Sequence, residues 1–445
     1  MKIWQKNTDS SKEIEQFTIG KDTEFDVLLA PYDILGSIAH LKMLAKIDLI
    51  SEEELEALSK ELKVIYQEIK EGKFQIQEGV EDVHSQIEFL LIERLGDVGK
   101  KIHSGRSRND QVLVDLKLFY RDRVKEIVET SQQLFDLLLH LAEKHKDDLM
   151  PGYTHTQLAM PSSFGLWLSS FAESLTEDMD MLYAAYQIIN KNPLGSAAGY
   201  GSSFPLDRTY TTELLGFEDM HHNVINAQNS RGKTEKTLGF ALSGIGSTLN
   251  RMASDICLFM NQHFGFISFP DEFTTGSSIM PHKKNPDVFE LVRAKSNQLH
   301  SIPNAIILND TNLTTGYHRD KQLLKEYIFP GIQTTMECLN ITHFMLKEIK
   351  VKENILEDDK YQHLFSVEEV NRLVKSGVSF RDAYKEVGIA IEKGDFKATT
   401  QLDHTHEGSI GNLCLEEIKA KMETKIKRFD FSKIEVSKWE LLVRK

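Results

Sequence analysis

"KTEKTLGFALSGIGSTLNRMASDICLFMNQHF", Lys233 to Phe264, is the stretch on which the fold turns. Within it Leu238, Leu242, Ile245, Leu249, Met252, Ile256 and Phe259 recur in alternating steps of four and three. That spacing puts all seven on one narrow stripe of an α-helix, the seam of a helix bundle. Such a stripe is packing surface and carries no chemistry. The predicted helix is far longer than the usual length of about 11 to 12 residues, and so long a helix needs partners. Similar segments run from about Asp110 to Lys146, Pro161 to Ile189 and Pro286 to Ile306. Four antiparallel helices can bury their stripes as one bundle, and in a self-associating chain helices from several subunits share one core. Strand signals are nearly absent and there are only 10 prolines, so the expected fold class is all-α.

Working outward, 445 residues exceed what one hydrophobic core usually holds, roughly 250 to 300 residues. Upstream, "SEEELEALSKELKVIYQEIKEG" opens with a Ser and Glu start signal and precedes "EDVHSQIEFLLIERLG", which predicts an N-terminal helical domain over residues 1–105. The long helices occupy a central domain, residues 106–355. Beyond it the helices shorten and end in glycine ("SVEEVNRLVKSG", "FRDAYKEVGIAIEKG"), which predicts a small C-terminal helical domain over 356–445. No internal repeat or low-complexity segment interrupts this plan.

Hydrophobic residues make up 40% and charged residues 27% of the chain, the balance of an ordinary folded protein. Apolar runs such as "LFDLLLHLA" around Leu138 fall short of the roughly 18 residues of a membrane span, and the start "MKIWQKNTDSSKEIEQ" has no apolar signal core. A cytoplasmic protein without a membrane partner is expected. Cys257, Cys338 and Cys414 lie far apart and form neither a disulfide framework nor a metal-ligand spacing. A net charge of -14 argues against nucleic-acid binding, which needs a basic surface.

Four segments carry polar residues that packing does not explain. In "HSGRSRNDQ", His103 to Gln111, Asn109 or Asp110 is placed to cap the long helix that follows, and two arginines before a helix N-terminus suit a carboxylate. A solvated, capped turn is the plainer reading of the same residues. "GYTHTQLAMP" presents Thr154 and His155 before a helix with Pro161 in its first turn. In "EDVHSQIE", Asp82 caps a helix and His84 is expected as an exposed imidazole in the first turn.

The fourth segment is "GSSIMPHKKNP", residues 276–286. Asn285 as N-cap, Pro286 as first helical residue and Asp287 beside the dipole predict a helix N-terminus that favours anions. Lys283 and Lys284 add charge, and Ser277 and Ser278 bring hydroxyls on a flexible lead-in. The spacing of a Walker-type phosphate loop is absent. Together the four segments suit holding carboxylates and stabilising negative charge on carbon.

These motifs resemble those of the fumarase/aspartase superfamily, whose signature is GSSxMPxKxNP, and within it the argininosuccinate lyase family. The resemblance spans most of the chain, through "YDILGSIAHLKML", "EDVHSQIE", "HSGRSRNDQ", "GYTHTQLAMPSSFG", "NPLGSAAGYGSSFPLDR", "TTGSSIMPHKKNPDVFELVRAK" and "VSFRDAYKEVG". It implies cofactor-free and metal-free cleavage of argininosuccinate to arginine and fumarate, the last step of arginine biosynthesis. It also implies a homotetramer with a central helical bundle and active sites built from three chains. By the same resemblance Ser277 is the base, Lys283 and Asn285 stabilise the carbanion's carboxylate, and Glu290 orients them or His155. Thr154 and His155 bind the fumarate half and assist proton transfer. Arg108 and Asn109 hold carboxylates, with Ser107 and Asp110 nearby. Tyr317, Gln322 and Lys325 of "TTGYHRDKQLLKE" are implied substrate contacts.

Two positions depart from that pattern. His282 stands where the family usually has glutamine, and "MPHK" is the form of adenylosuccinate lyase; "GRSRNDQ" and the following KKNP speak for argininosuccinate. Asp22 stands near the place of a substrate-contacting serine. The rival readings are a sister lyase acting on adenylosuccinate or aspartate, and a crystallin-like structural protein without turnover.

Overall fold

The computed structural model describes residues 12–397 and 400–444; most of the start that was searched for a signal core lies outside them. The N-terminal helices are α1 (Lys12–Ile19), α2 (Asp22–Lys46), α3 (Glu52–Lys70) and α4 (Val83–Leu95). The central part holds α5 (Arg108–Lys144), the antiparallel hairpin β1 (Leu149–Thr154) and β2 (Gln157–Ser163), and then α6 (Phe164–Ile189). It continues with α7 (Arg208–Leu214), α8 (Val224–Phe259), α9 (Asp287–Leu299), α10 (Ile302–Asp310) and α11 (Leu324–Leu346). The chain ends with α12 (Ser366–Lys375), α13 (Phe380–Lys393), α14 (Leu415–Ile426) and α15 (Ser432–Leu442).

The all-α expectation holds, and all seven stripe residues from Leu238 to Phe259 are buried. Helix α8 packs on α6, α9, α10 and α11, and α5 packs on α6 and α11. At 37 residues α5 is about 55 Å long, the length of the bundle. The run of α8 breaks at Arg231 (ψ 136°) and Gly232 (φ 88°), so its bundle segment begins at Lys233, where the stripe places it. Only glycine fits at the break, because φ is positive and a Cβ there would collide with the Asp310 carboxylate.

Other boundaries differ from expectation. The segment Pro286 to Ile306 is two helices, interrupted at His300 and Ser301, with Pro303 early in the second. Asn285 does not cap: it pairs in a two-residue strand with Thr275, and α9 starts behind Pro286. Pro161 lies in β2, not in a helix, and Ser163 caps α6 by accepting from the Leu166 N–H. At the other end of the chain, α12 and α13 close over a small core of their own around Val370, Ala383, Val387 and Phe396. Helices α14 and α15 return to the main body, against α6 and against α2 and α7.

Helix α2 was underrated as an apolar run. By length and composition it could cross a membrane, but 78% of its most apolar window is buried inside the protein. Its side chains pack into the core, where Phe25 and Tyr32 meet Phe119 and Phe329 edge-on while Phe119 and Phe329 stack at 4.5 Å. This aromatic cluster clamps the start of α2 onto α5 and α11, and with it the acidic residues described next.

Candidate active site

Five pieces of chain meet at a cavity of about 320 Å³: the starts of α2, α4 and α5, the break in α8, and the segment leading into α11. Arg108, Asn109, Tyr317, Gln322 and Lys325, five of the residues singled out in the sequence, line it together. Arg108 reaches it because the α5 start is fixed by a reciprocal capping box. Ser107 accepts from the Asn109 N–H at 3.3 Å, and the Asp110 carboxylate accepts from the Ser107 N–H at 2.8 Å. The cap is therefore Ser107, not Asn109 or Asp110 as the sequence suggested. Neither Ser107 nor Asp110 lines the cavity. Asp110 is fully buried and accepts from the Gly195 and Ala197 N–H groups as well. Burial pushes its carboxyl up to about 6, against the pull of these donors and of Arg106.

The walls carry both signs of charge. Arg108 Nη1 lies 2.8 Å from Glu81 and 3.3 Å from Asp82, and Arg319 Nη2 lies 2.7 Å from the other oxygen of Glu81. A resident carboxylate thus sits between two guanidinium groups. Lys325, 2% exposed, pairs with Asp26 at 2.6 Å and also with Asp22. Asp22 therefore does enter the cavity; burial raises its carboxyl to about 6 even with the Lys325 ammonium beside it. Gln322 donates to the Thr18 and Ile19 carbonyls, both at 3.0 Å. Such a set of paired charges suits a zwitterion with several carboxylates, which can exchange places with resident partners.

His84 overturns the expectation of an exposed imidazole. Asp82 does cap α4, accepting from the Ser85 N–H at 2.8 Å, yet His84 is 6% exposed. Its Nδ1 lies 2.5 Å from Asp33 and 3.5 Å from Asp115. Burial pushes the imidazole down, and the hydrogen bond and charge of Asp33, with Asp82 and Asp26 behind them, outweigh it and hold the ring above its ordinary range. Asp26, Glu81, Arg231 and Arg319 in the wall, and Asp33 and Asp115 behind it, were missed in the sequence. Two of them carried a signal: Asp26 and Asp33, seven residues apart, are charges on one face of a helix whose middle is mostly apolar.

The remaining six residues do not line this cavity. Thr154 and His155 stand exposed at the tip of the β1–β2 hairpin, with positive φ at His155 and Thr156. Ser277, Lys283 and Asn285 lie on the loop before α9, whose ends pair through Thr275–Gly276 and Lys284–Asn285. Ser277 Oγ accepts from the Met280 N–H at 3.1 Å and from the Ile279 N–H at 3.4 Å, and Lys283 is exposed. Glu290 is exposed too, 3.8 Å from Arg293. Half of the expected site is thus gathered inside the chain and half is displayed on its surface.

Comparison with known proteins gives a consistent picture. A family model described as "Lyase" matches residues 2–300. An argininosuccinate lyase of Bacteroides fragilis is 57% identical over 444 residues, 100% of this chain and 99% of the relative. One of Bacteroides thetaiotaomicron is 57% identical over 443 residues, with 100% and 99% covered. Among solved structures, EDDS lyase in complex with formate superposes with a TM-score of 0.71 at 22% identity, over 98% of this chain and 92% of that one. At that identity the likeness speaks for the fold.

Proposed function

The chain belongs to the argininosuccinate lyase family of the fumarase/aspartase superfamily, and from that premise we propose how its residues divide the work of the reaction. The enzyme is a carbon–nitrogen lyase of arginine biosynthesis that eliminates L-arginine from argininosuccinate and releases fumarate. The sister lyases and the structural homologue are not favoured, because relatives at 57% identity over the whole chain carry this activity in their names.

The observation that carries the division is the split between the cavity and the surface loops. Inside, Arg108 and Asn109 hold carboxylates of the substrate, displacing Glu81, and Tyr317, Gln322 and Lys325 hold the arginine half beside Asp22 and Asp26. Ser277 is the base that removes the proton next to a carboxylate. Two backbone N–H groups already point at its Oγ, which lowers the cost of negative charge there. Lys283 and Asn285 stabilise the carbanion's carboxylate, and Thr154 and His155 engage the fumarate half. Since these groups stand on the surface, they serve cavities of other subunits in a homotetramer. Exposed apolar side chains on the central helices support association, among them Phe240 and Leu258 of α8, Leu291 of α9, Leu308 of α10 and Phe344 of α11. We place the enzyme in the cytoplasm, in keeping with three unpaired cysteines.

The test is direct. Purified protein mixed with argininosuccinate should generate fumarate, followed by its ultraviolet absorbance. A signal from adenylosuccinate alone would overturn the substrate assignment.

A further inference from the structure

Arg231 is a buried cation whose own surroundings do not satisfy it. It is 2% exposed, lines the cavity and stands at the break in α8. Its Nη2 donates to the Lys321 carbonyl at 2.9 Å, while Nε and Nη1 have no hydrogen-bond acceptor among the described residues. A guanidinium carries only donors, and burying them unpaired is costly. Glu235, the carboxylate beside it, is committed elsewhere. One Glu235 oxygen accepts from the Gly232 N–H at 2.7 Å; the other accepts from the Tyr120 hydroxyl at 3.4 Å and stays 3.6 Å from Arg231 Nε. Burial works against the charge on Arg231, and neighbouring Tyr317, Glu235, Tyr120 and Asp22 outweigh that effect and keep the cation.

The position is built rather than incidental. Lys321 donates back to the Arg231 carbonyl at 2.9 Å and pairs with Asp310 at 3.3 Å, and Gly232 at the break has a φ of 88°. The segment that holds Arg231 through Lys321 also carries Tyr317, Gln322 and Lys325, so the guanidinium is fixed to the wall assigned to the arginine half.

We propose that Arg231 is a specificity-determining residue that binds the α-carboxylate of the substrate's arginine half through its unpaired guanidinium N–H groups. The proposal rests on the lyase reading above. A carboxylate offers the two coplanar acceptors that a guanidinium fork matches. The other cations of the wall are already engaged: Lys325 with Asp22 and Asp26, and Arg108 and Arg319 with Glu81. The arginine half ends in a zwitterion. Its ammonium meets Asp22 and Asp26, its carboxylate meets Arg231, and the pair brings no net charge into a wall of paired charges. An amine lacking the carboxylate would add a cation and leave the fork unfilled, so Arg231 selects against it.

The experiment uses the full-length assembled enzyme and measures how L-arginine and agmatine, its decarboxylated analogue, inhibit fumarate release from argininosuccinate. Wild type should bind arginine at least about 100-fold more tightly than agmatine. Arg231→Gln should raise the arginine inhibition constant and the KM for argininosuccinate by about 30-fold or more, lower kcat less than that, and leave agmatine within about threefold, so the preference collapses. A merely structural role would weaken both inhibitors alike. That result overturns the proposal, and so does a wild type that does not tell the two apart. Should Arg231→Gln not assemble, Arg231→Lys decides, because it keeps the buried charge without the fork. A preference for arginine cut by about tenfold or more then supports the proposal, and an unchanged preference overturns it. Absence of any fumarate release by wild type is a different failure, that of the lyase reading itself.

Discussion

Ser277 illustrates how little a residue's type says about its chemistry. A free hydroxyl is a poor base, and the proposed role draws on the backbone N–H groups aimed at its Oγ, which stabilise negative charge there. Ser277→Ala should lower kcat by about 100- to 10,000-fold while circular dichroism and assembly stay unchanged; activity within a few-fold of wild type would refute the serine base. Asp178 makes a second residue-level case, unconnected to catalysis. It is buried between α6 and α8, and its carboxylate accepts from Thr248 Oγ1 at 2.7 Å. Burial raises it to about 6. Between the ordinary carboxylate range and 6 the folded state binds the extra proton, so this group's contribution to stability falls as pH rises through that window. Denaturant unfolding of Asp178→Asn should therefore gain on wild type between pH 4 and pH 7, by up to about 3 kcal/mol. A pH-independent difference between the two would contradict the assignment.

At the scale of elements, helix ends decide where functional groups point. The α5 capping box sets Arg108 and Asn109 at the cavity while Ser107 and Asp110 hold the turn. Ser107→Ala should cost about 1 kcal/mol in urea unfolding; a loss of substrate affinity with no loss of stability would mean that Ser107 touches the substrate directly. The break in α8 is a second such device. It frees Arg231 to line the cavity, and Lys321 locks the arrangement by donating to the Arg231 carbonyl at 2.9 Å while accepting from its guanidinium at 2.9 Å. Gly232→Ala forces a side chain into positive φ and against Asp310, so it should destabilise by about 2 kcal/mol or more and raise KM. The β1–β2 hairpin escaped the sequence reading because Pro161 and the apolar residues around it read equally well as a helix start; cross-strand pairing with Pro151 settles it.

At the scale of the molecule, the proposed site joins a cavity on one chain to a surface loop of another, so it requires that chains associate. Mixing two inactive variants, Arg108→Ala and Ser277→Ala, after dissociation and reassembly should restore activity, to about a quarter of wild type for random assembly. No recovery would mean that cavity and loop act within one chain. The stripe from Leu238 to Phe259 fixed the bundle in advance, because helical period and burial are local consequences of residue spacing. The polar motifs before α5 and before α9 were legible for the same reason, since caps, prolines and clustered cations act over a few residues. Asp115, Glu81 and Arg231 were not legible, and Asp26 and Asp33 were legible only as charges on an apolar helix face. Each acquires meaning from a partner far along the chain, as Lys325 does from Asp26 and His84 from Asp33. Sequence spacing specifies which face of a helix is apolar; which buried charges end up neutralising one another depends on distances that exist only once the helices have packed.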